Sequence, residues 1–210
     1  TFLSDGELLL EELVARAREL GHEAIGVTDH VGPSNMEWVL ERTLEGAEKL
    51  NSVMDMRVVP GVELTYVPLS LIPDLAEEAK EKGAEIVVVH GESIVEPVPP
   101  GTNLAALKSD AVDILAHPGM LTSDEAELAA DKGIFLEITS RDGHSLTNGR
   151  VAKFAIESGA KMLVNTDAHS PEDLITFDEG RAIAMGAGID DDLIDEILIK
   201  NPQELLEENK

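Results

Sequence analysis

Residues 83–92, GAEIVVVHGE, contain the pattern that decides the fold: a glycine that ends a helix, a short apolar strand and a histidine directly after it. The same succession of amphipathic helix and apolar strand recurs along the whole chain. Six strands that alternate with helices predict parallel β/α units. Apolar runs without polar alternation are typical of a parallel sheet whose faces are covered by helices. The predicted strands are 23–28, 57–64, 85–89, 112–116, 134–138 and 161–165.

Amphipathic helices fill the segments between the predicted strands. Gly21, Gly83 and Gly159 mark the ends of three of them, and Ser123 is the predicted N-cap of another. A doubly wound sheet and a barrel both fit this alternation. The predicted helices are 8–20, 36–50, 72–82, 103–108, 123–132, 147–158, 178–185 and 190–199.

The charge balance of the 210-residue chain is strongly acidic, because 42 Asp and Glu residues against 16 Lys and Arg residues give a formal net charge of −26. Such a surface repels a phosphate backbone, so we expect no nucleic-acid partner. The sequence has no cysteine, which excludes disulfides, thiolate nucleophiles and cysteine-ligated zinc, and which favours a cytoplasmic location. No apolar run approaches the ~20 residues that cross a bilayer, so we expect no membrane association.

Polar side chains gather at the carboxyl ends of the predicted strands. In a β/α barrel these ends converge on one face, and that face holds the active site. Histidine, aspartate and glutamate without cysteine are typical ligands of hydrolytic Zn, Mn or Fe sites. This placement favours the barrel and predicts a metal-dependent hydrolytic site. The residues concerned are Asp29, His30, Glu63, His90, His117, Ser140, Arg141, His144, Asp167 and His169.

Each histidine taken alone is more typical of a hydrogen-bonded core residue than of a metal ligand. Five of the six histidines lie at or just after strand ends, together with carboxylates, which favours the metal site. Asp29 can instead orient a neighbouring ligand, because adjacent strand residues face opposite ways. Glu92 and Glu137 have two interpretations. They can belong to the site, or they can be solvated residues or helix caps.

Taken together and in order, the motifs resemble those of the polymerase and histidinol phosphatase (PHP) superfamily. The resemblance spans nearly the whole chain, and 139–149 is most similar to small stand-alone archaeal members of the histidinol-phosphatase-like type. It implies an α/β fold, a distorted seven-stranded (β/α)7 TIM-like barrel, with 1–210 as a single domain. The motifs are Ser4-Asp5-Gly6, Thr28-Asp29-His30, Pro60-Gly61-Val62-Glu63, His90, His117-Pro118 and Thr166-Asp167-Ala168-His169.

The resemblance also implies a cluster of up to three divalent ions, Zn, Mn or Fe, that hydrolyses a phosphoester with an activated water molecule. Glu63 would bridge two of these ions. Arg141 and His144, chosen for their position and chemistry, would contact the phosphate and protonate the leaving oxygen. The implied ligand sets are His90 and His117 with Glu63, Asp167 with Glu63, and Asp5, His30 and His169 at the third site.

One departure from the family pattern concerns the first strand. In the family, a strand that ends in His-x-His directly precedes a Thr-x-x-Ser-Asp-Gly stretch, and here that stretch is 1–6, TFLSDG. Six strands are predicted where the family has seven. We therefore expect the family's first strand to be truncated from this sequence, and the site shared by Glu63 and Asp167 to lack two ligands.

These observations predict a metal-dependent phosphoesterase acting on a small phosphorylated metabolite, such as histidinol phosphate or a nucleotide phosphate. One alternative is a non-catalytic structural subunit of the ribonuclease P type. The ligand set argues against it, because buried polar groups without a role are costly. The other alternative is a PHP-type nuclease, for which the sequence shows no basic stripe and only 3% aromatic residues for base stacking.

Overall fold

The computed structural model describes residues 1–208, and a parallel β-sheet forms its centre. The strands are β1 Ala24–Val27, β2 His30–Val31, β3 Arg57–Leu64, β4 Ile86–His90, β5 Ile114–Ala116, β6 Phe135–Thr139 and β7 Met162–Asn165. They lie in the order β1-β3-β4-β5-β6-β7, and β2 pairs with β3 beyond the end of β1. All six predicted strands are present.

β1 and β2 are two parts of one strand position. Val27 is opposite Pro60 and His30 is opposite Glu63, so the register with β3 continues unchanged across the interruption. The N–H groups of Arg57 and Glu63 donate to the carbonyls of Glu23 and Asp29, so the same edge of β3 pairs with both parts. The prediction of a strand over 23–28 missed the second part, which places His30 directly beside Glu63.

Helices pack on the outer face of the sheet, as parallel β/α units require. Their apolar faces join outward-facing strand residues such as Val62, Val87 and Leu115 in the largest core cluster. The helices are α1 Leu10–Glu19, α2 Met36–Asn51, α3 Ile72–Glu81, α4 Thr102–Leu107, α5 Ser123–Lys132, α6 Asn148–Ser158, α7 Phe177–Gly186 and α8 Asn201–Glu208. Among these described helices, none combines the length and apolar character needed to cross a bilayer.

On the concave face of the sheet, the side chains change from apolar to polar towards the carboxyl ends of the strands. Val88, Phe135 and Leu163 belong to an apolar cluster on this face. Side chains alternate along a strand, so the residue two positions later points the same way. In this way His90 and Glu137 follow Val88 and Phe135, and the polar side chains lie together at the carboxyl ends of the strands.

The N-cap of α5 is Thr122 and not the predicted Ser123. The Thr122 hydroxyl accepts a hydrogen bond from the Glu125 N–H at 3.3 Å, and the Glu125 carboxylate accepts one from the Thr122 N–H at 2.9 Å. This reciprocal capping box needs a glutamate three residues after the cap, which Thr122 has and Ser123 lacks.

The predicted last helix, 190–199, is wrong in form and length. The segment begins with a 3₁₀ turn at Asp191–Leu193 and passes through a π-helical stretch at Glu196–Lys200 into α8. Pro202 lies just after the π-helical stretch, and its ring and missing N–H disrupt the regular hydrogen bonding of an α-helix at this point. Asn201 Nδ2 donates to the Met162 carbonyl at 2.8 Å, and this bond ties the helix to β7.

The sheet curls without closing within residues 1–208, because its end strands β1 and β7 do not pair with each other. A cavity of about 720 Å³ opens beside them, lined by side chains such as Val27, Val59 and Leu163. The fold is thus an α/β half-barrel with six strand positions, which confirms the predicted TIM-like class.

A strand supplied to this opening should stabilise the protein. We expect an extension ahead of Thr1 that ends in His-x-His to raise the thermal midpoint by several degrees, since it would pair with the free strand edges and bury apolar surface. A Gly-Ser extension of equal length is the control. Equal midpoints for the two extended chains in calorimetry would contradict this prediction.

Candidate metal centre

The structure gathers the predicted ligands in one cluster at the carboxyl ends of the strands. Their nitrogen and oxygen atoms form three groups, and within each group the atoms lie within 4.8 Å of one another. Each of the residues proposed as a ligand belongs to at least one group. The groups are Glu63, His90 and His117; His30, Glu63 and Asp167; and Asp5, His30 and His169.

Glu63, near the end of β3, lies at the centre of the cluster. His117 Nε2 is 3.7 Å from Glu63 Oε1, and His30 Nε2 is 3.7 Å from Glu63 Oε2. The two carboxylate oxygens therefore face different histidines, as a bridging carboxylate requires. His90 packs edge-on against His117, with ring centroids 4.3 Å apart.

Asp5 joins the cluster from the amino-terminal segment. Its Oδ2 is 3.4 Å from His30 Nδ1 and 3.4 Å from His169 Nε2. His169 also lies beside Asp167, whose Oδ1 is 3.5 Å from His169 Nδ1. The third group is thus in contact with the second, and the three groups form one continuous cluster.

Asp29 fixes the segment that carries Asp5. Its buried carboxylate accepts hydrogen bonds from Thr1 Oγ1 at 2.8 Å and from Ser4 Oγ at 2.8 Å. The Glu7 N–H continues this anchoring by donating to the His169 carbonyl at 2.7 Å. Asp29 belongs to none of the three groups, so its geometry fits the orienting role that the sequence analysis considered.

Two of the proposed ligands have left-handed backbone. The angle φ is +26° at His117 and +48° at Asp167, a region that costs an L-residue about 1–2 kcal/mol. Each residue follows a strand end, and the turn brings the two side chains together, with His117 Nε2 3.6 Å from Asp167 Oδ2. Such strain persists where the surrounding structure holds it, and it is typical of functional sites.

Burial raises the pKa of three carboxyl groups in and under the cluster. Burial and the nearby Asp167 and Glu137 raise the pKa of Glu63 well above its usual range. Burial and Glu137 raise the pKa of Asp167 to about 7, and burial raises the pKa of Glu137 to about 7. A divalent cation would relieve the repulsion between these carboxylates.

Burial lowers the pKa of three histidines of the cluster. It lowers the pKa of His30 to about 4, that of His117 well below its usual range, and that of His90 in the same direction. These imidazoles are therefore neutral near pH 7, which is the protonation state that binds metal ions.

Several buried polar atoms of the cluster have no hydrogen-bond partner among residues 1–208. They are His30 Nε2, Glu63 Oε1 and both ring nitrogens of His117, together with His144 Nδ1 beside them. Buried polar groups in proteins are nearly always satisfied. Unpartnered imidazole nitrogens and carboxylate oxygens within 4.8 Å of one another fit divalent Zn, Mn or Fe.

Arg141 and His144, the residues proposed for phosphate contact and proton transfer, lie at the rim of the cluster. Arg141 Nη1 donates to Asp173 Oδ2 at 2.8 Å, and its Nε is 3.9 Å from Asp167 Oδ2. His144 is buried, and its ring centroid is 4.4 Å from that of His117. The sequence analysis did not single out Asp173, which fixes the direction of Arg141.

Glu96 is a further residue of the site that the sequence analysis missed. Its Oε2 accepts a hydrogen bond from the Tyr66 hydroxyl at 2.8 Å and lies 3.0 Å from His90 Nε2. Its Oε1 is 3.4 Å from His144 Nε2. Glu96 lies within a proline-rich loop after β4, and its only signal in the sequence is this place beyond a strand end.

Glu92 closes the loop that carries Glu96. Its Oε1 accepts hydrogen bonds from the N–H groups of Gly101 at 2.8 Å and Asn103 at 3.1 Å, at the start of α4. Asn103 Oδ1 in turn accepts a hydrogen bond from the Glu92 N–H at 2.9 Å. Of the roles considered for Glu92, the structure therefore shows helix capping.

A sequence profile of the PHP domain matches residues 1–93 of the chain. An uncharacterized protein of Methanocaldococcus jannaschii is 49% identical over 207 residues, which cover 98% of this chain and 95% of that protein. The chain belongs to the PHP family. The resemblance that rests on the strand-end motifs is thereby confirmed.

More distant relatives of this PHP protein include a probable phosphatase and a ribonuclease P component. A probable phosphatase of Thermoanaerobacter sp. is 28% identical, and the match covers 96% of this chain and 89% of that protein. Ribonuclease P protein component 3 of Methanosarcina barkeri is 26% identical, with 98% and 86% of the two chains covered.

Two solved structures have the same fold as this PHP protein. A chain of archaeal ribonuclease P with mature tRNA has a TM-score of 0.74 at 17% identity, with 97% of this chain and 89% of that chain covered. Histidinol phosphate phosphatase of Lactococcus lactis, complexed with zinc, L-histidinol and phosphate, has a TM-score of 0.59 at 16% identity, with 89% and 90% covered. At these identities the likeness establishes the fold alone.

The three groups predict different metal losses for different ligand substitutions. Glu63→Gln should remove about two ions per chain, because Glu63 belongs to two groups, whereas Asp5→Asn should remove about one. Elemental mass spectrometry of protein loaded with Zn or Mn measures the difference. Equal losses would contradict the bridging position of Glu63, and Glu77→Gln on the exposed face of α3 serves as a control with full metal content.

Proposed function

We propose that this PHP protein is a metal-dependent phosphoesterase that hydrolyses a small phosphorylated metabolite. The observation that carries the proposal is the set of three overlapping carboxylate and imidazole groups, with Arg141 beside them. The probable phosphatase among the relatives supports it, and so does a phosphatase of the same fold that binds zinc and phosphate.

Arg141 would bind the phosphate of the substrate. Asp173 holds its Nη1, which leaves other N–H groups of the guanidinium for the paired hydrogen bonds that match phosphate oxygens. Because Arg141 Nε lies 3.9 Å from Asp167 Oδ2, a phosphate bound to Arg141 would border the ligand cluster.

His144 would supply the proton to the leaving oxygen. Its Nε2 is 3.4 Å from Glu96 Oε1, so the carboxylate fixes the direction of the ring beside His117. A general acid must lie within hydrogen-bond reach of the leaving group, so the proposal requires the leaving oxygen to lie at the rim beside His144. Divalent ions held by the cluster would polarise the phosphoryl group and make an adjacent water molecule acidic.

Charge and composition favour a small substrate over a nucleic acid. The net charge of −26 repels a long phosphate backbone, and one Trp and one Tyr give few surfaces for base stacking. At the mouth of the site, the Tyr66–Glu96 hydrogen bond joins the loops that follow β3 and β4. Histidinol phosphate and a nucleotide monophosphate are therefore the first substrates to test.

A structural subunit of the ribonuclease P type is the second candidate. The ribonuclease P component among the relatives and the TM-score of 0.74 favour it. A scaffold, however, gains nothing from buried polar atoms without partners, such as Glu63 Oε1 and His117 Nε2.

Glu63→Gln should abolish hydrolysis. We expect kcat for p-nitrophenyl phosphate with Mn or Zn to fall by at least ~10²-fold, because the substitution removes a ligand oxygen from two groups. Glu77→Gln makes the same chemical change at an exposed position and should keep the wild-type rate. A Glu63→Gln variant with normal turnover would refute the phosphoesterase assignment.

Arg141→Lys should weaken substrate binding. An ammonium cannot reproduce the planar pair of hydrogen bonds, so we expect KM for the phosphomonoester to rise about tenfold. Arg181→Lys is the matched control, since Arg181 pairs with Asp191 on the surface at 2.9 Å. An unchanged KM in steady-state assays would remove Arg141 from the proposed phosphate contact.

The ribonuclease P and nuclease alternatives are tested by a gel shift with tRNA and with DNA at low salt. We expect no retardation, because the acidic surface repels both polymers. Retardation of tRNA with no phosphatase activity would favour the structural subunit, whereas degradation of either polymer would favour the nuclease.

A further inference from the structure

Glu137 lies on β6 under the ligand cluster, and it belongs to none of the three groups. Its side chain is buried, so it is not the solvated residue that the sequence analysis considered. Glu137 Oε2 accepts the backbone N–H of His117 at 2.8 Å, and Oε1 accepts Asn165 Nδ2 at 3.1 Å. Because β6 lies between β5 and β7, this one carboxylate links three neighbouring strands.

The hydrogen bond from the His117 N–H to Glu137 takes the place of backbone pairing between β5 and β6. The β5–β6 register ends at Leu115 opposite Leu136, and the His117 N–H then donates to the Glu137 side chain. At this point the backbone turns to a φ of +26°, which directs the imidazole to the cluster. Glu137 thus satisfies the N–H that the turn removes from the sheet.

The hydrogen bond from Asn165 to Glu137 lies two residues before Asp167, the other proposed ligand with left-handed backbone. Asn165 is the last residue of β7, opposite Thr139, and it precedes Asp167 by two positions. Asp167 has a φ of +48°, and its Oδ2 is 3.6 Å from His117 Nε2. The chain segments that carry His117 and Asp167 are therefore both joined to the same carboxylate.

We propose that Glu137 and Asn165 form a positioning pair, which holds His117 and Asp167 in the geometry that binds divalent metal. This inference rests on the proposed metal-dependent function. The pair needs two acceptor oxygens at position 137, because both of its partners donate N–H groups. A carboxylate provides both oxygens, whereas a carboxamide provides one.

The test is a reversal of the pair, measured as zinc affinity in competition with a chromogenic chelator at constant pH. E137Q leaves one donor unsatisfied, and we expect zinc binding to weaken roughly 10–100-fold. N165D alone sets two carboxylates against each other and should weaken binding at least as much. In the double variant E137Q/N165D, the introduced carboxamide can accept from the His117 N–H and donate to the introduced carboxylate. The charge of the pair is then unchanged, so we expect affinity close to wild type.

Each outcome decides the proposal. Wild-type affinity in E137Q, or a double variant that binds zinc no better than E137Q, overturns it. Should E137Q fail to fold by circular dichroism, N165A removes only one hydrogen bond, and unchanged zinc affinity in N165A has the same consequence. Glu77→Gln is the control for charge removal.

The measurement also separates this proposal from the proposed function. If the wild type and the double variant bind zinc but hydrolyse no phosphoester, the phosphoesterase assignment fails and the positioning pair stands. If E137Q hydrolyses a phosphoester and binds zinc as the wild type does, the positioning pair fails and the assignment stands. A wild-type chain that binds no divalent ion overturns both.

Discussion

Negative charge buried at one rim of the sheet is the constraint on which the rest of this structure depends. Burial raises the pKa of Glu63, Glu137 and Asp167. A folded chain keeps such groups together only where donors or cations compensate them. Arg141 and the His117 N–H supply part of that compensation, and divalent ions at the three groups of carboxylates and imidazoles would supply the rest. Parallel strands make the crowding possible, because all of them end at the same rim.

Local sequence patterns predicted the features that depend on neighbours along the chain. The strand over 57–64 and the helix over 123–132 have their predicted bounds. Apolar runs, helical periodicity and the glycine or capping residues at helix ends are all local signals. The predicted ligands also lie together, because strand order and direction alone bring carboxyl ends to one face. Glu96, Asp173 and the Glu137–Asn165 pair were missed, or left undecided, because their roles arise from hydrogen bonds between distant segments.

The fold alone does not separate a phosphatase from a ribonuclease P subunit, since a zinc-bound phosphatase and a chain of a ribonuclease P complex both share it. The features that bear on this choice are the residues at the carboxyl ends of the strands. In this chain two of the proposed ligands, His117 and Asp167, have left-handed backbone, and several buried nitrogens and oxygens have no partner within residues 1–208. Both features destabilise the free protein, and both agree with the proposal that these residues bind a cation.

The closed loop over 92–103 has a consequence for how this family can diverge. Hydrogen bonds between Glu92 and Asn103 hold its two ends together. The positions of the two ends therefore do not depend on the length of the loop between them. Lengthening such a loop is cheap, at about 0.6 kcal/mol for each doubling. The half-exposed Ile94 and Val95 can therefore be exchanged while β4 stays in place and Glu96 keeps its contacts with His90 and His144. The loop can then vary in length and in its exposed apolar side chains without moving the strands that carry the cluster.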